Sequence, residues 1–307
     1  MSPRDSHRRR WALAGLTAFV VVDLVLVATA LGTNSASNAA VPTAVQAIEA
    51  RPTPTNAPTA TPFPVAEIAP PTRLLAAYDA STVWRTAMGS CPGAGVTPEL
   101  STDGGETWAP SADADASAIL AMIPTSRSEV SMVTRPATDC SPQLVATFVA
   151  GDDWKSYPDR LAANWYVDPV DRSVVHSPAG APTTPCGDVV GLAVKDDTAA
   201  AALCSDGSFV RTTDGGTRWG APVVIPGGVN LNVSDDGYIL AALDQPECAG
   251  VQVLSTSEAL DGAVSEVGCR EGGLGGRDVA IASSDGAMWI WAGDVMSKST
   301  DDGSTWG

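Results

Sequence analysis

The side chains able to do chemistry in this 307-residue chain are few and scattered. Its two histidines are His7, in a basic N-terminus, and His176. A Ser-His-Asp triad or a histidine-rich metal site is therefore hard to assemble. The six cysteines contain no C-x-x-C pair, which argues against zinc. Acidic turns occur at Asp113 and Asp115, at Asp196 and Asp197, and at Asp235-Asp236-Gly237. Calcium takes oxygen-rich loops, but no D-x-D-x-D-G series is present, and these read as solvated turns. Gly272-Gly273-Leu274-Gly275-Gly276 opens no helix and so makes no phosphate cradle. The expectation is no catalytic residue, no metal site and no cofactor.

Aromatic side chains offer better ligand surfaces. Trp289 and Trp291 alternate along one strand and share a face. They read as packing between sheets. Trp165 and Tyr166 fall in an irregular stretch and are the candidate binding residues.

The elements that must position these groups are strands. Alternating apolar runs recur from Arg73 onward, and no amphipathic helix is evident after Leu31. Three segments share the form [ST]-T-D-[GD]-G-x-[TR]-W. They are Ser101-Thr102-Asp103-Gly104-Gly105-Glu106-Thr107-Trp108, Thr212-Thr213-Asp214-Gly215-Gly216-Thr217-Arg218-Trp219 and Ser299-Thr300-Asp301-Asp302-Gly303-Ser304-Thr305-Trp306. The physics is that of a hairpin turn. Asp accepts turn N–H groups, Gly takes positive φ, and Trp buries apolar area beside the turn.

This pattern resembles the Asp box, or BNR repeat, of sialidases and related β-propellers. In that family the box joins the third and fourth strands of a blade, on the face away from the substrate. The resemblance implies an all-β propeller of four-stranded blades. It implies structural roles for Ser101, Asp103, Gly105, Trp108, Thr212, Asp214, Gly216, Trp219, Ser299, Asp301, Gly303 and Trp306. Asp103 and Asp214 lie 111 residues apart, and Asp214 and Asp301 87, which is two blades of about 43. Gly151-Asp152-Asp153-Trp154 reads as a degenerate turn. Five full blades are expected, or six with residues 160–182 as a half blade. Val65-Ala66-Glu67-Ile68 is expected to pair with the last strand and close the ring.

A sialidase also needs three arginines to clamp a carboxylate, a Tyr–Glu nucleophile pair and an Asp acid/base. Its Phe/Tyr-Arg-Ile-Pro signature is absent; the nearest text is Tyr78-Asp79-Ala80-Ser81. No catalytic residue carries over. The strand map places Cys91, Cys140, Cys204 and Cys248 after second strands, and Cys186 and Cys269 before first strands. Both loop types leave a blade on the face opposite the box turns. The expected disulfides are therefore Cys91–Cys140, Cys186–Cys204 and Cys248–Cys269.

The N-terminus sets the compartment. Residues 1–10 are basic, and 11–31 are apolar apart from Asp23. Twenty-one helical residues span about 32 Å, enough to cross a bilayer. The one-sided positive flank sends the C-terminal part outward. A signal peptide cleaved near Ala28-Thr29-Ala30 is the alternative, and both readings are extracytoplasmic. Residues 32–72 read as a disordered stalk, with 8 Pro and 6 Thr in 41–72. Residues 73–307 are the propeller. They carry 13 basic and 31 acidic side chains, which excludes a nucleic-acid partner. The Ala, Gly and Pro content suits a GC-rich bacterium. The expected function is a membrane-anchored, non-enzymatic binding or scaffold domain for a cell-surface protein or glycan. The rival is a divergent glycoside hydrolase or carbohydrate-binding protein. The Asp-box propellers of photosystem assembly factors are a precedent by fold for a scaffold role.

Overall fold

The computed structural model describes residues 67–273 and 278–307. The expected anchor and the stalk up to Ala66 lie outside them. Among the described residues no helix is long and apolar enough to cross a membrane.

The chain forms a five-bladed propeller of antiparallel sheets. Blade one holds β1 (Arg73–Ala77), β2 (Val83–Ala87), β3 (Glu99–Ser101) and β4 (Ala109–Pro110). Blade two holds β5 (Ala118–Pro124), β6 (Val130–Arg135), β7 (Gln143–Thr147) and β8 (Lys155–Ser156). A short 3-10 helix, Pro158–Ala163, leads into a hairpin of β9 (Tyr166–Val167) and β10 (Val175–His176). Blade three holds β11 (Val189–Val194), β12 (Ala200–Cys204), β13 (Ser208–Thr212) and β14 (Val223–Val224). Blade four holds β15 (Gly228–Ser234), β16 (Gly237–Ala242), β17 (Gly250–Ser257) and β18 (Ser265–Glu271). Blade five holds β19 (Val279–Ser284), β20 (Ala287–Ala292) and β21 (Val295–Ser299). Its fourth-strand position is begun by Gly307, which exchanges backbone hydrogen bonds with Lys298 at 2.9 and 3.0 Å.

The first strand of each blade is innermost. Around the axis they run β1, β5, β9, β11, β15, β19 and back to β1. The hairpin thus fills a narrow sector between blades two and three, matching the half blade read in residues 160–182. Each seam has its own apolar cluster. Trp84, Ile119 and Met132 join blades one and two. Val133 and Tyr166 join blade two to the hairpin. Leu203, Leu231 and Tyr238 join blades three and four. Second strands are sandwiched between neighbours, so every residue of β12 and of β16 is buried. Their sequences AAALC and GYILAA accordingly read as continuous apolar runs.

The three repeats all close third-to-fourth-strand turns. Ser101 Oγ, Thr212 Oγ1 and Ser299 Oγ accept the N–H of Gly105, Gly216 and Gly303 at 2.7, 3.0 and 2.9 Å. Asp103 Oδ1 accepts the Glu106 and Thr107 N–H groups at 3.1 and 2.9 Å. Asp214 and Asp301 take the matching Arg218 and Thr305 N–H groups at 2.9 and 2.8 Å. Gly105 has φ +99°, and a Cβ there would meet the Trp289 ring at 3.4 Å. Blade two keeps the shape without the carboxylate. Thr147 Oγ1 accepts from Gly151 N–H at 3.1 Å, Trp154 closes the turn, and Val149 stands in the Asp position.

The three expected disulfides are present: Cys91–Cys140, Cys186–Cys204 and Cys248–Cys269. One step behind that pairing is corrected. Cys269 lies within β18, paired with Gln252, rather than before a first strand. The fourth strand of blade four is Ser265–Glu271, whose polar, half-exposed sequence SEVGCRE carries little strand pattern.

Ring closure is also corrected. Ile68 donates its N–H to Ser205 O on blade three at 2.8 Å, far from the last strand. Val65 and Ala66 lie outside the described residues. Blades five and one are instead joined by side chains. Trp289 Nε1 donates to Gly104 O at 2.8 Å, Lys298 Nζ to Ala80 O at 3.1 Å, and Ser284 Oγ to Tyr78 O at 2.8 Å. The Arg85 guanidinium lies 4.2 Å over the Trp108 ring and 5.3 Å from that of Trp291.

Candidate functional site

The innermost strands surround an axial cavity of about 310 Å³. Its walls are mostly apolar, from β1, β5, β11 and β15. The charged side chains in its lining are Arg73, Arg172 and Lys195, and no described carboxylate lines it. That is unusual in a domain with more than twice as many acidic as basic groups. Each cation leans on an acid set back from the cavity. Arg73 Nε is 3.1 Å from Asp278, Arg172 Nε 3.6 Å from Asp188, and Lys195 Nζ 3.6 Å from Glu258.

Position in the blade decides where these cations stand. Arg73 begins β1, at the disulfide-bearing end of the axis. Its guanidinium also stacks 4.6 Å over Trp291 and donates to Gly293 O. Arg172 sits in the β9–β10 loop and reaches the Val190 carbonyl at the start of β11 at 3.4 Å. Burial pushes its pKa down against the pull of Asp188. Its Nε is buried with no hydrogen-bond partner among the described residues. Lys195 follows β11 at the repeat-turn end and also donates to Asp235 O at 3.1 Å. Asn232 crosses the wall, donating to Leu75 O at 2.9 Å and Ile281 O at 2.8 Å.

Both candidate binding residues reach this wall, with different work to do. Trp165 is only 2 % exposed, donates Nε1 to Asp196 O at 3.2 Å, and packs edge-on to Trp219 at 6.5 Å. Its ring lies 3.4 Å from where a Cβ on Gly216 would be, as Trp289 does at Gly105. The hairpin therefore supplies the tryptophan that seats blade three's repeat turn. Tyr166 instead meets a polar pair. Its ring stacks on His176 at 4.4 Å with an interplanar angle of 11°. His176 Nε2 lies 3.0 Å from Asp168 Oδ2. Burial, followed by the nearby Asp168 charge, raises the Tyr166 pKa. Burial works to raise Asp168 as well, but hydrogen bonds from the Asp171 N–H, His176 and the Val170 N–H outweigh it and hold its carboxyl below the usual range.

Sequence reasoning missed the three cations and the Asp168–His176 pair. Arg73 and Lys195 were within reach, since each flanks a first strand. Arg172 carried no local signal. Trp289, buried, and Trp291, half-buried, sit between blades as packing groups. A second cleft, of about 360 Å³, opens between blades four and five at the repeat-turn end. Asp235, Asp236 and Asp302 line it with several serines and no basic side chain among the described residues.

No protein-family model matches this chain, and no curated protein matches it. Several solved structures do, at low identity. YCF48 from Cyanidioschyzon merolae is 15 % identical with a TM-score of 0.41, covering 80 % of this chain and 86 % of that one. The Aleuria aurantia lectin in complex with Fucalpha1-6GlcNAc is 10 % identical with a TM-score of 0.45, covering 77 % and 94 %. The GH74 xyloglucanase from Xanthomonas campestris is 16 % identical with a TM-score of 0.30; 76 % of this chain matches 37 % of that chain.

Proposed function

We propose that this chain is a membrane-tethered, extracytoplasmic propeller that acts as a non-enzymatic binding domain at the cell surface, with the axial cavity as its ligand seat. The observation that carries the reading is the lining itself: Arg73, Arg172 and Lys195 among apolar walls, with no described carboxylate. Glycosidases work with a pair of carboxylates flanking the scissile bond, and this lining supplies neither. Guanidinium, amide and phenol groups beside apolar walls suit a ligand that presents a carboxylate next to a ring or aliphatic face. The cavity lies at the small end of the usual range for ligand pockets, so it admits one such group rather than a length of chain. The partner is accordingly a surface glycan or protein bearing an accessible acidic terminus.

The tether rests on the apolar run at 11–31 and its one-sided positive flank. The rival hydrolase would have to use the acidic cleft, where Asp235, Asp236 and Asp302 gather without a cation to clamp an anionic substrate.

A thermal-shift series on the oxidised protein tests the reading. Sialosides, neutral glycans and cell-wall fragments are titrated against the wild type and Arg172→Met. The expected result is a saturable rise with an acidic member of the panel, lost in Arg172→Met. A flat response across the panel, or a rise with neutral sugars that survives Arg172→Met, refutes it. Turnover of any glycan would move belief to the hydrolase.

A further inference from the structure

We propose that residues 67–72 form a strap across the disulfide-bearing mouth of the axial cavity, and that the strap must lift before a ligand enters from that side. This rests on the cavity being the ligand seat, and adds how access to it is controlled.

The strap is fixed at both ends to blades that are not neighbours. At one end the Ile68 N–H donates to Ser205 O, just beyond β12 in blade three, at 2.8 Å. The Ile68 side chain packs at the cluster that contains Phe209 and Ile225. At the other end the Thr72 N–H donates to Asp278 Oδ1 at 2.9 Å, and Thr72 Oγ1 donates to Oδ2 of the same carboxylate. The Met88 N–H donates to Thr72 O at 2.7 Å. Ser205, Asp278 and Met88 all lie at the disulfide-bearing ends of their strands.

Only Ala69, Pro70 and Pro71 lie between the anchors. A fully extended chain from Ile68 to Thr72 reaches at most about 14 Å. So short a span ties blade three to blades five and one, and Pro71, the residue between its anchors that faces the cavity, puts the segment over the mouth. The chemistry of the crossing fits an unsupported span. Two prolines have no N–H to satisfy and restrict the backbone, so the segment needs no sheet partner. Anything pulling on the chain N-terminal to the strap acts first at Ile68, whose hold is one hydrogen bond and a half-buried side chain. Traction on the tether and access to the cavity are thereby coupled.

A thiol-accessibility experiment on the full chain tests this without any ligand. The six native cysteines all sit in disulfides, so Asn230→Cys supplies the sole thiol. Asn230 lines the cavity and stands near the start of β15, toward the disulfide-bearing end. Ser283→Cys, in a separate protein, places the control thiol on the lining near the repeat-turn end. Each is combined with Ile68→Asp, which breaks the apolar packing at one anchor, and Thr72→Val, which removes the Oγ1 donor at the other. With N-ethylmaleimide, the loosened strap is expected to raise the Asn230→Cys rate about tenfold and to leave the Ser283→Cys rate unchanged. An unchanged Asn230→Cys rate overturns the strap, and so does an equal rise at both positions, which would mean general loosening. Either failure leaves the binding reading standing. A flat thermal-shift panel beside a strap-dependent labelling rate would instead sink the binding reading alone.

Discussion

Blades three and four adjoin, yet they tie their third-to-fourth-strand turns by opposite means. In blade three the turn ties itself. Thr212 holds the Gly216 N–H, and Asp214 holds the Arg218 N–H. In blade four there is neither the Asp nor the Trp of the repeat. The Ser257, Leu260 and Gly262 carbonyls and Thr256 Oγ1 converge instead on Arg211, at 3.0, 3.2, 2.9 and 2.8 Å. Arg211 belongs to β13 of blade three and is 1 % exposed. Neighbouring residues on a strand face opposite ways. Thr212 thus serves its own blade's turn, and Arg211 serves the next blade's. One kind of tie is local and carried by carboxylates; the other is borrowed and carried by a buried cation that main-chain dipoles solvate. Burial lowers the Arg211 pKa, yet guanidinium keeps its proton at any ordinary pH.

That contrast can be broken at three points. The largest effect is expected at the borrowed tie. Arg211→Met takes a charged donor from three carbonyls and a hydroxyl and should cost about 3 kcal/mol or more in urea unfolding. Arg211→Lys should recover less than half, because an ammonium cannot present the fork that reaches four acceptors. A loss below about 1 kcal/mol for Arg211→Met would mean that the turn stands without the guanidinium.

Acid should separate the two ties next. Hydrogen bonds from Thr107, side chain then backbone, hold Asp103 far below its usual value of 3.8. Backbone hydrogen bonds from Arg218 and Thr305 lead in lowering Asp214 and Asp301. A carboxylate whose folded pKa is depressed stabilises the fold above its unfolded pKa and loses that as pH falls through the folded value. The destabilisation caused by Asp103→Asn, Asp214→Asn and Asp301→Asn together should therefore be full at pH 7 and shrink below about pH 4. The cost of Arg211→Met should not shrink with it. Urea midpoints of both variants against wild type at pH 7 and at about pH 2.5 decide the matter.

The smallest effect is expected in blade two, whose turn has the repeat's shape without its carboxylate. Val149→Asp restores the missing acceptor. The adjacent Asp152 and Asp153 oppose a third negative charge there, so the gain should be about 0.5 kcal/mol or less. A gain well above that would show that the carboxylate matters more than the hydroxyl and glycine the turn already has.

Much of the architecture was legible because it is written in short-range chemistry. The repeat's hydroxyl, Asp and Gly make their hydrogen bonds within four residues, so eight consecutive letters carry the whole device. The cysteine pairs followed once the strands were counted, although the place of Cys269 within β18 did not. The candidate site was legible only in part. Tyr166, singled out as a candidate binding residue, lies on the cavity wall. Trp165 reaches it too, but mainly as the seat for Gly216 of the next blade, and that role requires knowing that the hairpin occupies the place of a blade. The cations of the cavity come from three distant stretches, brought together by the curvature of the ring.

The sequence by itself determined where the repeat turns fall, which apolar runs become strands and which cysteines meet. Each of those depends on residues close in the chain or on the side-chain period of a strand. The tertiary structure alone decided how the ring closes, with Trp289 on Gly104 across 185 residues. It decided that Arg211 serves the neighbouring blade, and that Ile68 and Thr72 are held on different blades with Pro71 between them in the cavity lining. Those contacts exist only after five sheets have packed face to face, because packing, and not the local chain, sets which distant groups come within hydrogen-bonding reach.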